Sequence, residues 1–405
     1  MMSEKNVDKY IIVFWGAGNH PSLLPISMGL ADGFRELGKN VAFCDCTDTE
    51  CVNACFDLMR ARQVAFCAGL NNFGMIWNVG EKEIFKTYKE YDVPHVSIML
   101  DTPYNKAVSG FDDYCPKHIV TLLDKTAEEY VRLVYPDKAG QAIFLPLAGM
   151  ESDNAEDVFA RERCYDVVVS ASTSSFGLGI RERQWHSNGT NIRVAKILDD
   201  TADYLEVNAE GVFAALKYVL QARGLQGDEY LRRMLPYCWD LLLYIKSYRR
   251  LKAVELLARN DIPVDVFGNG WDIVPFAGKL KLHGPVSYEQ SLEIASQAKI
   301  IFQDQAEFNH GAHDRVFTGM LNGAVVVSEF SHYLAEEFEA GRDLFMFDWQ
   351  NGDKQVQVIH ELLADESKRL SVAVSAYGKA VRRHRWANRA ERILEAVDVL
   401  YGVEV

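Results

Sequence analysis

The sequence YIIVFWGAG, residues 10–18, decides the fold class. Six consecutive apolar, β-prone residues end at a turn of small residues, which is typical of a buried parallel strand that enters a tight turn. A helix is predicted next, because Leu30, Phe34 and Leu37 recur at helical spacing and Gly38 follows them. Strand, turn and helix in this order begin a βαβ unit.

The same alternation continues along the chain and starts again in its second half. Further strands are predicted over residues 41–44, 64–67, 96–100, 118–122 and 142–145, then over 166–170, 264–267, 300–302 and 324–327. An acidic stretch at 151–157 separates the two series. We therefore predict an α/β protein with two Rossmann-like domains, residues 1–150 and 151–385, and a mostly helical insertion at about 181–246. A C-terminal helix, 386–405, is predicted to pack back on the first domain.

Composition limits the kind of partner that the chain can bind. With 405 residues, 48% apolar and 25% charged, the chain has enough material for two cores. A formal net charge of -14 argues against a nucleic-acid partner, because such binding needs clustered Lys and Arg. No apolar run reaches the roughly 18 residues of a membrane span, so a cytoplasmic protein is predicted. The arginines at 382–392 are predicted to be the solvated face of a helix.

Eight cysteines without a signal peptide predict reduced thiols. Four of them, Cys44, Cys46, Cys51 and Cys55, fall within twelve residues and raise the question of a metal site. Their spacing lacks the paired Cys-x-x-Cys knuckles of structural zinc sites. Ordinary small core residues are therefore predicted at these positions, and no metal.

The most distinctive motif is EFNHGAHDRVFTGMLNGAVVV, residues 307–327. It joins a strand to a helix through a polar loop, so free backbone N–H groups at the helix start are expected to form an anion site. Arg315 offers a charged fork to phosphate, and His313 or Thr318 could hydrogen-bond a ribose hydroxyl or a diphosphate oxygen. The alternative is structural, with Asp314 capping the helix and pairing with Arg315.

Residues 311–329, with 286–289 and 299–302, resemble the donor-binding core of group-1-type glycosyltransferases. Within that group the pattern is closest to the spore-maturation-protein-B-like branch, where His-x-Arg-Val-Phe begins a short helix that ends in Gly before a strand. The resemblance is weaker at Arg249 and Arg250, at 264–271 and at 100–103. It implies the GT-B architecture, in which two Rossmann-like domains face a cleft and the second binds the nucleotide. It also implies metal-independent transfer with no cofactor.

The resemblance and the loop positions together predict the donor site. Its residues are Gly268, Asn269, Gly270, Trp271, Asn309, His310, Gly311, Ala312, His313, Asp314, Arg315 and Thr318. Trp271 could stack near the base or simply pack. The retaining group-1 enzymes carry two Glu residues eight positions apart, and those positions here are His310 and Thr318. This departure leaves both the nucleotide and the stereochemical course open.

The first domain is predicted to hold the acceptor. Its candidate loop follows the first strand and contains Gly16, Gly18, Asn19 and His20. His20 could act as a general base, or satisfy loop backbone groups. Asp101 follows a buried strand and could orient or deprotonate the acceptor, or form an Asx-turn. With Arg315, these two residues make up the predicted catalytic set.

The sequence therefore predicts a glycosyltransferase that moves a sugar from a nucleotide-diphosphate sugar to a hydroxyl of a protein, glycan or small molecule, with retention implied by the resemblance. Two alternatives remain open on the same fold. One is a nucleotide-sugar epimerase. The other is a catalytically silent nucleotide-sugar-binding protein.

Overall fold

The computed structural model describes residues 9–16, 23–75, 77–79, 82–84, 87–105, 111, 115–153, 157–186, 190–305, 308–348, 352–403 and 405. Its strands are β1 Tyr10–Trp15, β2 Asn40–Asp45, β3 Val64–Leu70, β4 Trp77–Val79, β5 Lys82–Ile84, β6 His95–Ile98, β7 His118–Leu122, β8 Ala142–Phe144, β9 Tyr165–Ser170, β10 Val264–Phe267, β11 Lys281–Leu282, β12 Ala298–Gln303, β13 Val325–Glu329 and β14 Phe345–Phe347.

The helices alternate with these strands. They are α1 Leu24–Glu36, α2 Thr49–Arg60, α3 Thr87–Tyr91, α4 Ala127–Val134, α5 Ser175–Leu178, α6 Ile192–Val207, α7 Val212–Ala222, α8 Asp228–Met234, α9 Cys238–Arg259, α10 Tyr288–Ser296, α11 Asp314–Leu321, α12 His332–Glu337, α13 Gly352–Ala364, α14 Glu366–Arg383 and α15 Trp386–Tyr401.

The chain folds into two compact units. The first comprises residues 1–123, 127–148 and 383–405, and the second comprises 124–126 and 149–382. Each contains a six-stranded parallel sheet with flanking helices. The predicted α/β class with two Rossmann-like units is confirmed.

The sheet of the first unit has the strand order β2-β1-β3-β6-β7-β8. All of its pairings are parallel, and the antiparallel hairpin of β4 and β5 lies outside it. Strand β3 is buried along its whole length, as expected for a strand covered by helices on both faces. The order reverses between β1 and β3, which makes their carboxyl ends the topological switch point of this unit.

The C-terminal helix α15 packs within the first unit. Trp386 lies against two glycines of α1, where a Cβ on Gly29 would come within 2.6 Å of the indole ring. Arg389 is 5% exposed, and its Nε donates to the carbonyl of Pro146 at 2.6 Å. The prediction of a solvated arginine face is therefore wrong for Arg389, which forms buried hydrogen bonds instead.

The sheet of the second unit has the order β11-β10-β9-β12-β13-β14, again with parallel pairings throughout. Read in chain order this is 3-2-1-4-5-6, the doubly wound nucleotide-binding order, with its switch point between β9 and β12. Its core is built from the Val and Ile residues of the central strands packed on α9 and α13.

The helical insertion in the second unit is confirmed, although its end differs from the prediction. Helices α6 to α8 fill residues 192–234, and α9 then runs for 22 residues from Cys238 to Arg259 without a break near 246. No Gly or Pro interrupts that stretch, so the helix continues. Arg249 and Arg250 consequently lie in the middle of a helix.

Among the described residues, no helix combines the length and the apolar character needed to cross a membrane.

Candidate functional site

The carboxyl ends of β9 and β12 form the switch point of the second unit, which is where open α/β sheets bind ligands. Three charged side chains lie there. Arg250 comes from α9, Asp304 follows β12 directly, and Arg315 lies in the first turn of α11. Both arginines donate to the chain that leaves β9: Arg250 Nη1 reaches the carbonyl of Ser172 at 2.7 Å, and Arg315 Nη1 reaches that of Ser170.

Arg250 and Asp304 form a buried bidentate ion pair. Arg250 Nε and Nη2 lie 3.0 and 3.1 Å from the two carboxylate oxygens of Asp304. Burial alone would raise the pKa of Asp304, but the charge of Arg250 outweighs it, with help from Arg315 and Lys246, and the pKa falls to about 2. Three cationic side chains thus act on one carboxylate, and the switch point carries an excess of positive charge.

Arg315 is held in place by its neighbours on α11. Its Nη2 donates to Nε2 of His313 at 2.7 Å. Nδ1 of the same ring faces the carboxylate of Asp314 and lies 3.4 Å from the backbone nitrogen of Arg315. Burial raises the pKa of Asp314, but the charges of His313 and Arg315 lower this pKa by more than burial raises it. The net shift is therefore downward. The half-buried guanidinium of Arg315 is therefore aimed by a His–Asp pair.

Several N–H groups of the predicted cradle are already paired. The N–H groups of His310 and His313 donate to Asp124 and Gln305, at 2.6 and 3.1 Å. Gly311 N–H donates to the carbonyl of Phe308, and Val316 N–H to that of His313. The loop uses these donors to hold its own shape. His313, not Asp314, is the N-cap residue.

The loops after β9 and β10 pack backbone to backbone at the same edge. A Cβ on Gly268 would lie 2.2 Å from the carbonyl oxygen of Ala171. Gly270 has a φ of +82°, a conformation that glycine tolerates best. Asn269 exchanges hydrogen bonds with this loop through its backbone. Trp271 is 1% exposed and its Nε1 donates to Ala171, so its contacts are those of a packed core residue.

Two polar side chains at this edge bury atoms that have no hydrogen-bond partner within the described residues. Asn309 is 1% exposed, and neither its amide nitrogen nor its oxygen is paired. The buried hydroxyl of Thr173, in the loop after β9, is also unpaired there. Buried polar atoms normally have partners, so these groups mark positions where a ligand or water can be bound.

The remaining predicted donor residues have structural contacts. His310 stacks on His332 with ring centroids 4.2 Å apart, and its Nε2 lies 3.7 Å from Glu210. Gly311 accepts a hydrogen bond from Ser331, and Ala312 is buried. Thr318 is 5% exposed, and its hydroxyl accepts from the backbone of residue 150. These residues shape the loop and the underside of α11.

Only part of the predicted acceptor side can be placed. Gly18, Asn19 and His20 lie outside the described residues. Gly16 ends β1, and Asp101 lies three residues beyond the end of β6 at the same carboxyl edge. The neighbouring Leu100 N–H donates to the side chain of Asn71, which follows β3. Gly16 and Asp101 therefore both follow strands of the first sheet at its carboxyl edge.

The ion pairs that organise this edge of the second sheet were not predicted from the sequence. Arg249 is fully buried and joins Glu329, also fully buried, at 2.9 Å. The other oxygen of Glu329 accepts from the backbone N–H of Gln305. The side-chain oxygen of Gln305 in turn accepts from the backbone N–H of His313. One available signal was the run Gln303-Asp304-Gln305 directly after an apolar strand, because polar residues there face the ligand edge.

A cavity of about 720 Å³ lies at the opposite end of the second sheet, between α10 and residues 152–164. Its lining includes the carboxylates of Glu162, Glu289 and Glu293. That charge disfavours a diphosphate, so the cavity is not assigned to the donor.

Comparison with known proteins adds a family. Residues 249–395, about a third of the chain, match a family model described as glycosyl transferase-like. The matched region is therefore glycosyl transferase-like. It includes Arg250, Asp304, Arg315 and Glu329, so the ion pairs and the loop described above all lie inside it. No curated protein sequence matches the chain significantly.

Solved glycosyltransferase-type structures resemble the chain over nearly its whole length. A glycosyltransferase from Rickettsia africae shares 8% identity, covers 97% of this chain and 98% of its own, and has a TM-score of 0.47. HepE from Anabaena, solved with UDP-glucose, shares 10%, covers 96% and 99%, and scores 0.48. Sucrose-phosphate synthase from Thermosynechococcus elongatus shares 10%, covers 98% and 100%, and scores 0.46. Because these identities and TM-scores are low, the fold is assigned from the strand orders of the chain itself.

Proposed function

We propose that the chain transfers a sugar from a nucleoside-diphosphate sugar, bound at the β9/β12 switch point, to an acceptor hydroxyl held by the first unit. One observation carries the proposal: Arg250 pairs with Asp304 at the edge where doubly wound sheets bind nucleotides, and the positive charges of Arg315 and Lys246 act on the same carboxylate. Their excess positive charge is suited to the diphosphate of the donor and to the charge that develops on it as it leaves.

The proposal gives each donor residue a distinct role. The guanidinium of Arg315, aimed by His313 and Asp314, contacts the diphosphate directly. Arg250 is already paired with Asp304, so it contributes its positive charge and the shape of the site but no direct contact with the diphosphate. Asn309 and Thr173 supply the neutral hydrogen bonds for ribose or sugar hydroxyls. The closer relation to the spore-maturation-protein-B-like branch is part of this proposal, and it is supported by the run His313 to Phe317.

The first experiment tests donor binding through Arg315. Calorimetry with uridine, guanosine, adenosine, cytidine and thymidine diphosphates first identifies the base. Arg315→Ala should then weaken the preferred diphosphate by about 10- to 100-fold, because charged hydrogen bonds contribute about 1.5–3 kcal/mol. Arg315→Lys keeps the positive charge but loses the two-pronged guanidinium. Its affinity for the diphosphate should therefore lie between those of the wild type and Arg315→Ala. Arg342→Ala, at an exposed arginine of the same unit, is the control.

Equal affinity of wild type and Arg315→Ala for every diphosphate would refute the assigned role. The reaction class is tested separately, by incubating the protein with nucleotide sugars and no acceptor. A transferase gives at most slow hydrolysis, whereas an altered sugar would reveal an epimerase. No turnover in the presence of a range of acceptors would favour a binding protein.

Metal-independent transfer is also proposed, because the cationic side chains at this edge can neutralise the diphosphate, the task that a divalent ion performs in metal-dependent sites. Turnover should be unchanged by EDTA, and a loss restored by Mg²⁺ or Mn²⁺ would contradict this. Retention of configuration follows from the resemblance alone. The anomeric signal of the product in proton NMR decides it.

On the acceptor side we propose His20 and Asp101 as the orienting or basic groups. Asp101→Asn should lower kcat while leaving the affinity for the nucleoside diphosphate unchanged. A change in diphosphate affinity instead would move Asp101 out of this role. The eight free thiols fit a reducing compartment, so the proposed location is the cytoplasm.

A further inference from the structure

Four cysteines of the first unit come together from two neighbouring elements. Cys44 lies near the end of β2, and Cys46 directly follows that strand. Cys51 and Cys55 lie on α2, one turn apart on one face of the helix. Neither the distances between the elements nor their orientation could be read from the Cys spacing.

The sulfur atoms have the separation of ligands around one ion. The Sγ atoms of Cys44, Cys51 and Cys55 all lie within 4.8 Å of one another, and that of Cys46 is 4.0 Å from that of Cys44. With a Zn–S bond of about 2.3 Å, two sulfurs on a tetrahedral ion are about 3.8 Å apart. A disulfide would need about 2.05 Å. The 4.0 Å separation of Cys44 and Cys46 is close to the first value, and all four cysteines are free thiols.

The surroundings favour a cation over a free thiolate. Residues 40–59 contain no Lys, Arg or His, but they include Asp45, Asp48 and Glu50. This segment therefore supplies no cation that would stabilise the thiolates, whereas a bound metal ion does so directly.

We propose that Cys44, Cys51 and Cys55 bind one Zn²⁺ ion that ties the end of β2 to α2, with the neighbouring Cys46 as its fourth ligand. Four thiolates in tetrahedral arrangement are the ligand set that zinc prefers, and the small separation fits a single ion. Cys44 and Cys55 are buried, Cys51 is half-buried and Cys46 is exposed, so an ion can enter from the side of Cys46.

The site also adjoins the first turn of the predicted acceptor loop. The N–H of Cys46 donates to the carbonyl of Trp15 at 2.7 Å. A Cβ on Gly16 would lie 3.0 Å from that of Cys46. A metal at this position would fix the residues on which that loop begins. The proposal does not depend on the transferase activity, since it concerns the fold of the first unit.

The test measures metal content and stability of the whole chain. Protein purified without chelator should contain about one zinc per chain by elemental analysis. Substituted Co²⁺ should show thiolate charge-transfer and tetrahedral d–d absorption. Cys51→Ser should reduce zinc affinity by more than tenfold, the effect expected even for an outer partner of a metal site. EDTA should lower the Tm of the wild type but not that of Cys51→Ser.

Cys67→Ser is the matched control, because Cys67 is a buried thiol of the same core whose loss should leave the zinc content unchanged. Natively folded protein that neither contains nor takes up zinc or cobalt would overturn the proposal. The proposal would also be overturned if the intact mass of fresh protein were lower by two hydrogen atoms and a disulfide were mapped between two of these cysteines. Equal loss of zinc in Cys51→Ser and Cys67→Ser would also overturn it, because the metal would then depend on folding and not on these ligands.

Discussion

Two buried histidines should make the first unit sensitive to mild acid. His95 and His118 are paired neighbours on β6 and β7, and both are 0% exposed. Nε2 of His118 is 2.8 Å from the hydroxyl of Ser97, and Nδ1 of His95 is 2.9 Å from that of Tyr88. Burial, with a smaller contribution from Lys138, lowers the pKa of His118 to about 3. Burial also lowers the pKa of His95 well below its usual value.

The magnitude follows from the difference between the folded and unfolded pKa values. An unfolded histidine takes up a proton as the pH falls through 6.5, whereas folded His118 does so only near 3. The stabilisation is therefore complete above pH 6.5 and is lost as the pH falls towards 3. At pH 5 the loss is 1.5 pH units at 1.36 kcal/mol each, or about 2 kcal/mol for His118. His95 adds a loss of the same sign.

Hydrogen exchange of the β7 peptide, corrected for intrinsic rates, measures this loss at pH 7 and pH 5. In the wild type the opening free energy should fall by at least about 2 kcal/mol between these values. In His118→Gln the fall should be smaller by about 2 kcal/mol, whatever the variant does to stability at pH 7. His360→Gln, at an exposed histidine of the second unit, is the control. An identical pH dependence in wild type and His118→Gln would refute the reasoning.

Three further substitutions test packing. Arg249→Met leaves Glu329 as a buried charge without its partner, so the free energy of unfolding in urea should fall by about 3–5 kcal/mol, and adding Glu329→Gln should recover part of it. Gly268→Ala places a methyl group against a carbonyl and should lower the Tm, whereas Gly278→Ala, with open space around it, should not. Arg389→Met removes buried hydrogen bonds and should cost about 1.5–3 kcal/mol, measured by urea unfolding. A change within 0.5 kcal/mol for either arginine would show that its bonds are replaced by water.

The predictable part of the site was its position in the fold. Arg315 was identifiable because the motif at 307–327 joins a strand to a helix, and the carboxyl edge of a parallel sheet is where ligands bind. Several N–H groups expected to be free there are paired instead, since Asp124 and Gln305 accept from the loop. Asp124 lies 186 residues from His310 in the chain, and no local pattern indicates such a partner.

The sequence by itself determined the two series of parallel strands, the glycine that ends α1 and the helical insertion. These features depend on periodicity and turn residues, which act over a few neighbouring positions. Tertiary structure alone decided which charges are paired, as with Arg250 and Asp304, and that the thiols of Cys44, Cys51 and Cys55 meet at the end of β2. Such contacts join residues from different elements, and their energies depend on burial, which is set only when the sheets and helices pack.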